Sequence, residues 1–297
     1  MRKTAILVLT LLLSTAAYAD HYADTYVIPV VGHVMGANGT MWMSDIAIRN
    51  FSATEMTVQL IFIESGSDTS NNVFPLITDD IDDGSVTVGP NSSVMLTDVL
   101  DGYMGSNDMD MNAFGALIIG SDRPFAVTSR AYSSRSPLGQ TVPPTRDFFE
   151  NSVGEIDNAS VAYVPGIMQN ARTRTNVGFV AGSGGSLSTP MVVEVTIRNA
   201  TGGVSGTRSF TIPQGNFAHH QFSVASIAPN ATFDVGTAEF RITQGEGTVV
   251  PYASLVDNVT SEAAYIMGQF PESTPAPGSF GRRATTLFRQ LLGLQVR

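Results

Sequence analysis

The chain has 297 residues, 16 Lys and Arg against 26 Asp and Glu, a formal charge of −10 and no Cys. Without Cys there are no disulfides and no lipidated N-terminal Cys, so each domain must be held by its own apolar core. The acidic balance disfavours nucleic acid and anionic membrane as partners, and 14% charged residues with frequent Gly point to many short strands joined by turns.

Residues 1–19 read as a secretory signal: Arg2 and Lys3, an apolar run over 5–13, then Ala17-Tyr18-Ala19 before Asp20. The run is shorter than the roughly 20 apolar residues of a membrane span, and no later stretch approaches that length. Lys3 is the only Lys. A mature chain from Asp20 therefore has no amine for a Schiff base or a Lys–Asn cross-link, and its formal charge is −10 − 2 = −12. The expected location is extracellular, at the cell surface or periplasmic.

Residues 26–31 predict a short apolar strand broken by Pro29, followed by a Gly-rich turn ending in Asn38-Gly39. In the next strand, 41–49, the polar pair Ser44-Asp45 leads into Ile46 and Ile48 on one face. Trp42, the single Trp, shares that face and is expected in the core, while Asp45 and Arg49 point the other way. Residues 56–64 alternate with Val58, Leu60 and Phe62 inward. Strands at 85–88 and 93–97 flank Gly89-Pro90-Asn91, and Asp98 is placed to cap a short helical turn through Val99 and Leu100. Strands at 114–119 and 124–132 close the unit.

The same order returns. Thr175-Asn176 leads into Val177 and Phe179, and Val193, Val195 and Ile197 alternate with Glu194, Thr196 and Arg198. A strand at 209–212 precedes Pro213-Gln214-Gly215, and residues 223–227 replace the capped turn. Pairing Asp45 with Asn176, Val88 with Ile212 and Ser129 with Ser254 gives 176 − 45 = 131, 212 − 88 = 124 and 254 − 129 = 125. Near-constant offsets with about seven strands per unit predict an all-β protein of two tandem immunoglobulin-like β-sandwich domains from an internal duplication. The expected divisions are 20–155 and 156–270, meeting in the polar stretch near 150–158, then a basic tail over 271–297 with a short helix.

Ile28-Pro29-Val30, Ala37-Asn38-Gly39-Thr40, Trp42 and Ser44-Asp45 in the first copy carry a likeness to known proteins, as do Asp122-Arg123-Pro124 and 128–132. Tyr252-Ala253-Ser254 and Val256-Asp257-Asn258 carry it in the second. On these residues the chain resembles exported tandem β-sandwich proteins of environmental bacteria, a group without an established activity. The resemblance implies the fold and export and supplies no catalytic residues.

Two acidic stretches are candidate Ca²⁺ loops, since hard cations are held by clustered loop oxygens. Asp79, Asp80, Asp82 and Asp83 precede a strand; Asp108, Asp110 and Asn112 have the spacing that opens an EF-hand loop, but Ala113 and Ile119 stand where its Gly and Glu belong. A solvated acidic turn is the simpler reading of each, and no other cofactor is expected. His219 and His220, adjacent on a strand, point to opposite faces and would not share a metal. Arg123 and Arg130 are expected to pair with acids across the sheet. In the tail, Arg282 and Arg283 with Leu287, Phe288 and Leu291 form a candidate partner-binding face at helical spacing.

No nucleophile elbow, zinc-protease helix, P-loop or dinucleotide fingerprint occurs in the sequence. The expected function is non-enzymatic binding or adhesion, with a protein or glycan at the cell surface as partner. The alternatives are a structural subunit docking through its tail and accessory domains of a secreted hydrolase system.

Overall fold

The computed structural model describes residues 24–36, 39–66, 73–78, 80–103, 112–146, 161–183, 189–214 and 216–270. It is all-β and antiparallel. The first half contains β1 (Asp24–Met35), β2 (Met41–Asn50), β3 (Met56–Glu64), β4 (Val73–Pro75) and β5 (Ser85–Val88). They are followed by β6 (Ser93–Leu96), β7 (Ala113–Ser121), β8 (Phe125–Ser133), β9 (Ser136–Val142) and β10 (Thr145–Arg146). The second half contains β11 (Val161–Gln169), β12 (Thr173–Ser183), β13 (Met191–Asn199), β14 (Val204–Ile212) and β15 (Phe217–Ser223). Helix α1 (Val224–Ile227), β16 (Phe233–Gln244), β17 (Gly247–Asp257) and β18 (Ala263–Met267) complete it. No helix among the described residues is long and apolar enough to cross a membrane.

Each half is a sandwich of two layers. In the first, one layer runs β5-β3-β7-β1 and the other β6-β2-β8-β9; in the second, the layers run β14-β13-β16-β11 and β15-β12-β17-β18. The two orders correspond strand for strand. The registers agree too: Met56 faces Val88 on β3 and β5, and Met191 faces Ile212 on β13 and β14, all four buried. At the other landmark the alignment shifts by one residue. Asp45 faces Arg130 and Asn176 faces Ser254, so Arg130, not Ser129, holds the place of Ser254.

The strand order is not the immunoglobulin one. There the sixth and seventh strands are neighbours in one sheet. Here β7 and β8 lie in opposite layers, as do β16 and β17.

Pro29 bulges the first strand without breaking it. Pro has no N–H for the ladder, and the register between β1 and β7 shifts between Ile28 and Val31. β11 shifts at the matching place, between Pro165 and Ile167, where Gly166 takes a φ of +82°. After His33 β1 leaves β7 and pairs with β2 through Val34 and Met35, passing from one layer to the other. The expected helical turn at Asp98 is absent. Asp98 has a φ of +46°, incompatible with a helix, and its carbonyl accepts from the Asp101 N–H in a tight turn. In the second half the short helix does form, with Ser223 Oγ accepting from the Ala225 N–H.

Alternation along the strands builds the two sandwich cores. Leu60 and Phe62 meet Ile46 and Ile48 in one, and Val193 and Val195 meet Val177 and Phe179 in the other. A third apolar cluster joins the halves. Val27, Ile61, Ile63, Ala116 and Ile118, on the outer face of the first layer, pack with Val180, Phe217 and Val250 of the second sandwich. Strands β3, β7, β12 and β17 are therefore apolar on both faces, which explains runs such as Leu60-Ile61-Phe62-Ile63.

Candidate functional site

A cleft of about 350 Å³ lies between the two sandwiches, at the lower end of the range usual for small-molecule pockets. It forms where β1 crosses between layers and the inner face of the first sandwich runs out. Val34, Met35, Trp42, Met43 and Phe114 line it from that side. The outer face of the β15-β12-β17 sheet closes it with Arg174, Asn176, Gln221, Ser254 and Val256.

Trp42 marks the difference from the sequence expectation. It has the inward parity of Ile46 and Ile48, both fully buried, yet it lies beyond them, is only partly buried and lines the cleft. Its indole rests against Gly36, where an added Cβ would come within 2.5 Å of Nε1. The close fit fixes the ring. Among the described residues the indole N–H has no hydrogen-bond partner, and neither does the Asn176 amide.

Other polar groups at the cleft are engaged. Ser44 Oγ accepts from the Gly32 N–H at 3.0 Å, and Gln140 Nε2 donates across the interface to Ser254 Oγ at 3.2 Å. Gln140 Oε1 is buried without a partner. Arg174 donates through one guanidinium nitrogen to Asn258 Oδ1 at 2.7 Å. Gln221 Oε1 accepts from Tyr252 OH, which lies 2.8 Å from His219 Nε2. Tyr252 has one hydrogen; with that hydrogen on Gln221, the Tyr252 oxygen is an acceptor for His219 Nε2. Gly178 leaves the room this needs, since a Cβ there would meet the Tyr252 ring at 2.5 Å.

Burial pushes the His219 imidazole down to about 3, and the neighbouring His220 adds to the effect; the Pro29 carbonyl works weakly the other way. His220 points into the second core between Phe179 and Phe210. The two imidazoles thus lie on opposite faces, as strand geometry requires.

A second cluster lies on the first sandwich. His33 Nδ1 is 2.8 Å from Asp98 Oδ2 and 3.9 Å from Asp101 Oδ1, and the three ligand-type atoms lie within 4.8 Å of one another. Asp98 donates its backbone N–H to Asp45 Oδ1, and Arg130 ion-pairs the other Asp45 oxygen. Burial would raise the Asp45 carboxyl, but the Asp98 N–H, Arg130 and Tyr132 together hold it below the usual carboxylate range. Asp98 is raised, because burial outweighs its bond to His33. The arrangement pins the turn after β6 to the sheet. With a direct His–Asp hydrogen bond and an exposed Asp101, it has one ligand fewer than a closed tetrahedral site.

None of the described residues of the two expected Ca²⁺ loops belongs to this cluster. Asp80, Asp82 and Asp83 are exposed, with Asp83 accepting from the Ser85 N–H and hydroxyl; Asn112 is exposed, and its Oδ1 accepts from the Met35 N–H. Asp79, Asp108, Asp110 and the tail residues Arg282, Arg283, Leu287, Phe288 and Leu291 lie outside the described residues, as does the expected boundary at 150–158. Arg130 pairs with Asp45 as expected, and Arg123 meets Asp122 and Thr54. Sequence reasoning missed Arg174, Gln221, Gln140 and Ser254. The available signal was the polar outer parity of Arg174 and Asn176 on an otherwise apolar strand.

No protein-family model, curated protein or solved structure matches this chain.

Proposed function

We propose that this is an exported, non-enzymatic binding protein, acting at the cell surface or in the extracellular space, that holds a small ligand between its two sandwiches. The carrying observation is Trp42, a fixed, partly exposed aromatic that lines the cleft with Arg174 and Asn176, its N–H and the Asn176 amide without partners among the described residues. Aromatic anchors and convergent polar groups in a cavity between domains are what ligand sites are made of. The signal-like leader supports export, and the matched strand orders and bulges support origin by internal duplication.

Because Trp42 is the only Trp, its emission reads the cleft directly. A screen of small molecules, glycans and surface proteins against the chain from Asp20 should yield ligands that shift this emission and raise the melting temperature. A saturating screen that moves neither would overturn the reading.

A second reading, a structural subunit docking through its tail, rests on the contrast between the Arg-rich, acid-free 282–297 and the acidic remainder. Light scattering of the chain with and without 271–297 tests it: assembly that survives removal of the tail excludes it.

A further inference from the structure

Although acids outnumber bases by 26 to 16 in the chain, among the described residues no Asp or Glu lines the cleft, and Arg174 is the only charged one that does. We infer that the cleft takes a small organic acid, a carboxylate on a compact apolar body. The inference rests on reading the cleft as the ligand site and adds the class of ligand.

The two sides of the cavity are unlike. The first sandwich contributes Val34, Met35, Met43 and Phe114, a surface for hydrocarbon or an aryl ring. The second contributes the polar side, and its engaged acceptors are already satisfied: Gln221 Oε1 by Tyr252 and Ser254 Oγ by Gln140. Among the described residues what remains has more donors than acceptors, the open acceptors being Asn176 Oδ1 and the buried Gln140 Oε1. The Trp42 N–H, the Asn176 NH₂ and the guanidinium N–H groups of Arg174 not used by Asn258 are available. A head that only accepts, and carries negative charge, matches that set. A carboxylate offers two oxygens and about four lone pairs, and its bonds to a guanidinium are of the stronger, charge-assisted kind. A cation would meet Arg174 with no acid beside it. A neutral polyol would need as many acceptors as donors, and the cleft has few free ones.

The test uses the chain from Asp20 at neutral pH and low salt, with straight-chain and aryl monocarboxylates from acetate to decanoate, each beside its primary amide, and disaccharides as a neutral arm. Binding is read by Trp42 emission and by calorimetry. At least one acid should bind about tenfold or more tightly than its amide, weakening as salt is added. Arg174→Gln should abolish that preference while the protein still folds and melts in one cooperative transition, lower only by the loss of the Asn258 hydrogen bond. Trp42→Phe, read by calorimetry, should weaken acid and amide alike and keep the preference. Acids and amides binding equally, or disaccharides binding where acids do not, would overturn the organic-acid inference and leave the cleft reading standing. If neither the acids, the amides, the disaccharides nor the wider screen perturbs Trp42, both fall together.

Discussion

Asp45 and Asn176 hold matching places on β2 and β12 but meet different surroundings. Asp45 faces Arg130 and ties down the Asp98 turn; Asn176 faces Ser254 and is left free at the cleft. Asp45→Ala strands the Asp98 backbone donor and removes the Asp45–Arg130 ion pair, which should cost about 1–3 kcal/mol in urea unfolding at neutral pH. The sign with pH is fixed. Because the folded carboxyl is lowered from the ordinary 3.8, its contribution is present above that value and is lost as pH falls toward the lower folded value. Wild type and Asp45→Ala should therefore converge in stability in strong acid. Gly36→Ala is a local probe of the cleft: the new Cβ displaces the indole, so Trp42 emission should shift, and an unchanged spectrum would contradict the contact.

Among the elements, alternation told the inner face of each strand from its outer face, and that much was legible. It placed Ile46, Ile48, Val193 and Val195 in the cores correctly and set His219 opposite His220. It could not tell which outer faces find a second partner. Ile61, of outward parity, is buried against the other sandwich. Trp42, of inward parity, is at the cleft because parity says nothing of where along a strand the core ends. The cleft itself was beyond reach, since its sides come from different halves of the chain and meet only through packing of whole sheets. β15 carries a pH consequence. Folded His219 titrates near 3 and the unfolded ring near 6.5, so the unfolded chain binds the proton more tightly and stability falls as pH drops through that interval. From about pH 8 to about pH 5 the loss is on the order of 2 kcal/mol. His219→Gln, which keeps a donor toward Tyr252, should flatten this dependence in denaturant midpoints measured across the interval; an equally steep profile would remove His219 as its cause.

For the whole molecule, the third cluster makes one folding unit of two sandwiches. It is reinforced where the Gly66 N–H donates to the His219 carbonyl at 3.0 Å and where Tyr252 of the second half enters the first core. Val250→Asp places an unpaired carboxylate in that cluster, at a side chain only 4% exposed. Calorimetry should show one cooperative transition in wild type and two in Val250→Asp; one undivided transition in the variant would mean the halves are coupled elsewhere. The same cluster bears on how the protein is made. Synthesis delivers the first sandwich before its cover, with Ile61, Ile63, Ala116 and Ile118 facing water until β12, β15 and β17 follow. A chain paused between its halves is thus a sticky intermediate. Any chaperone that attends the nascent chain must shield an isoleucine-rich sheet for as long as the second half takes to arrive.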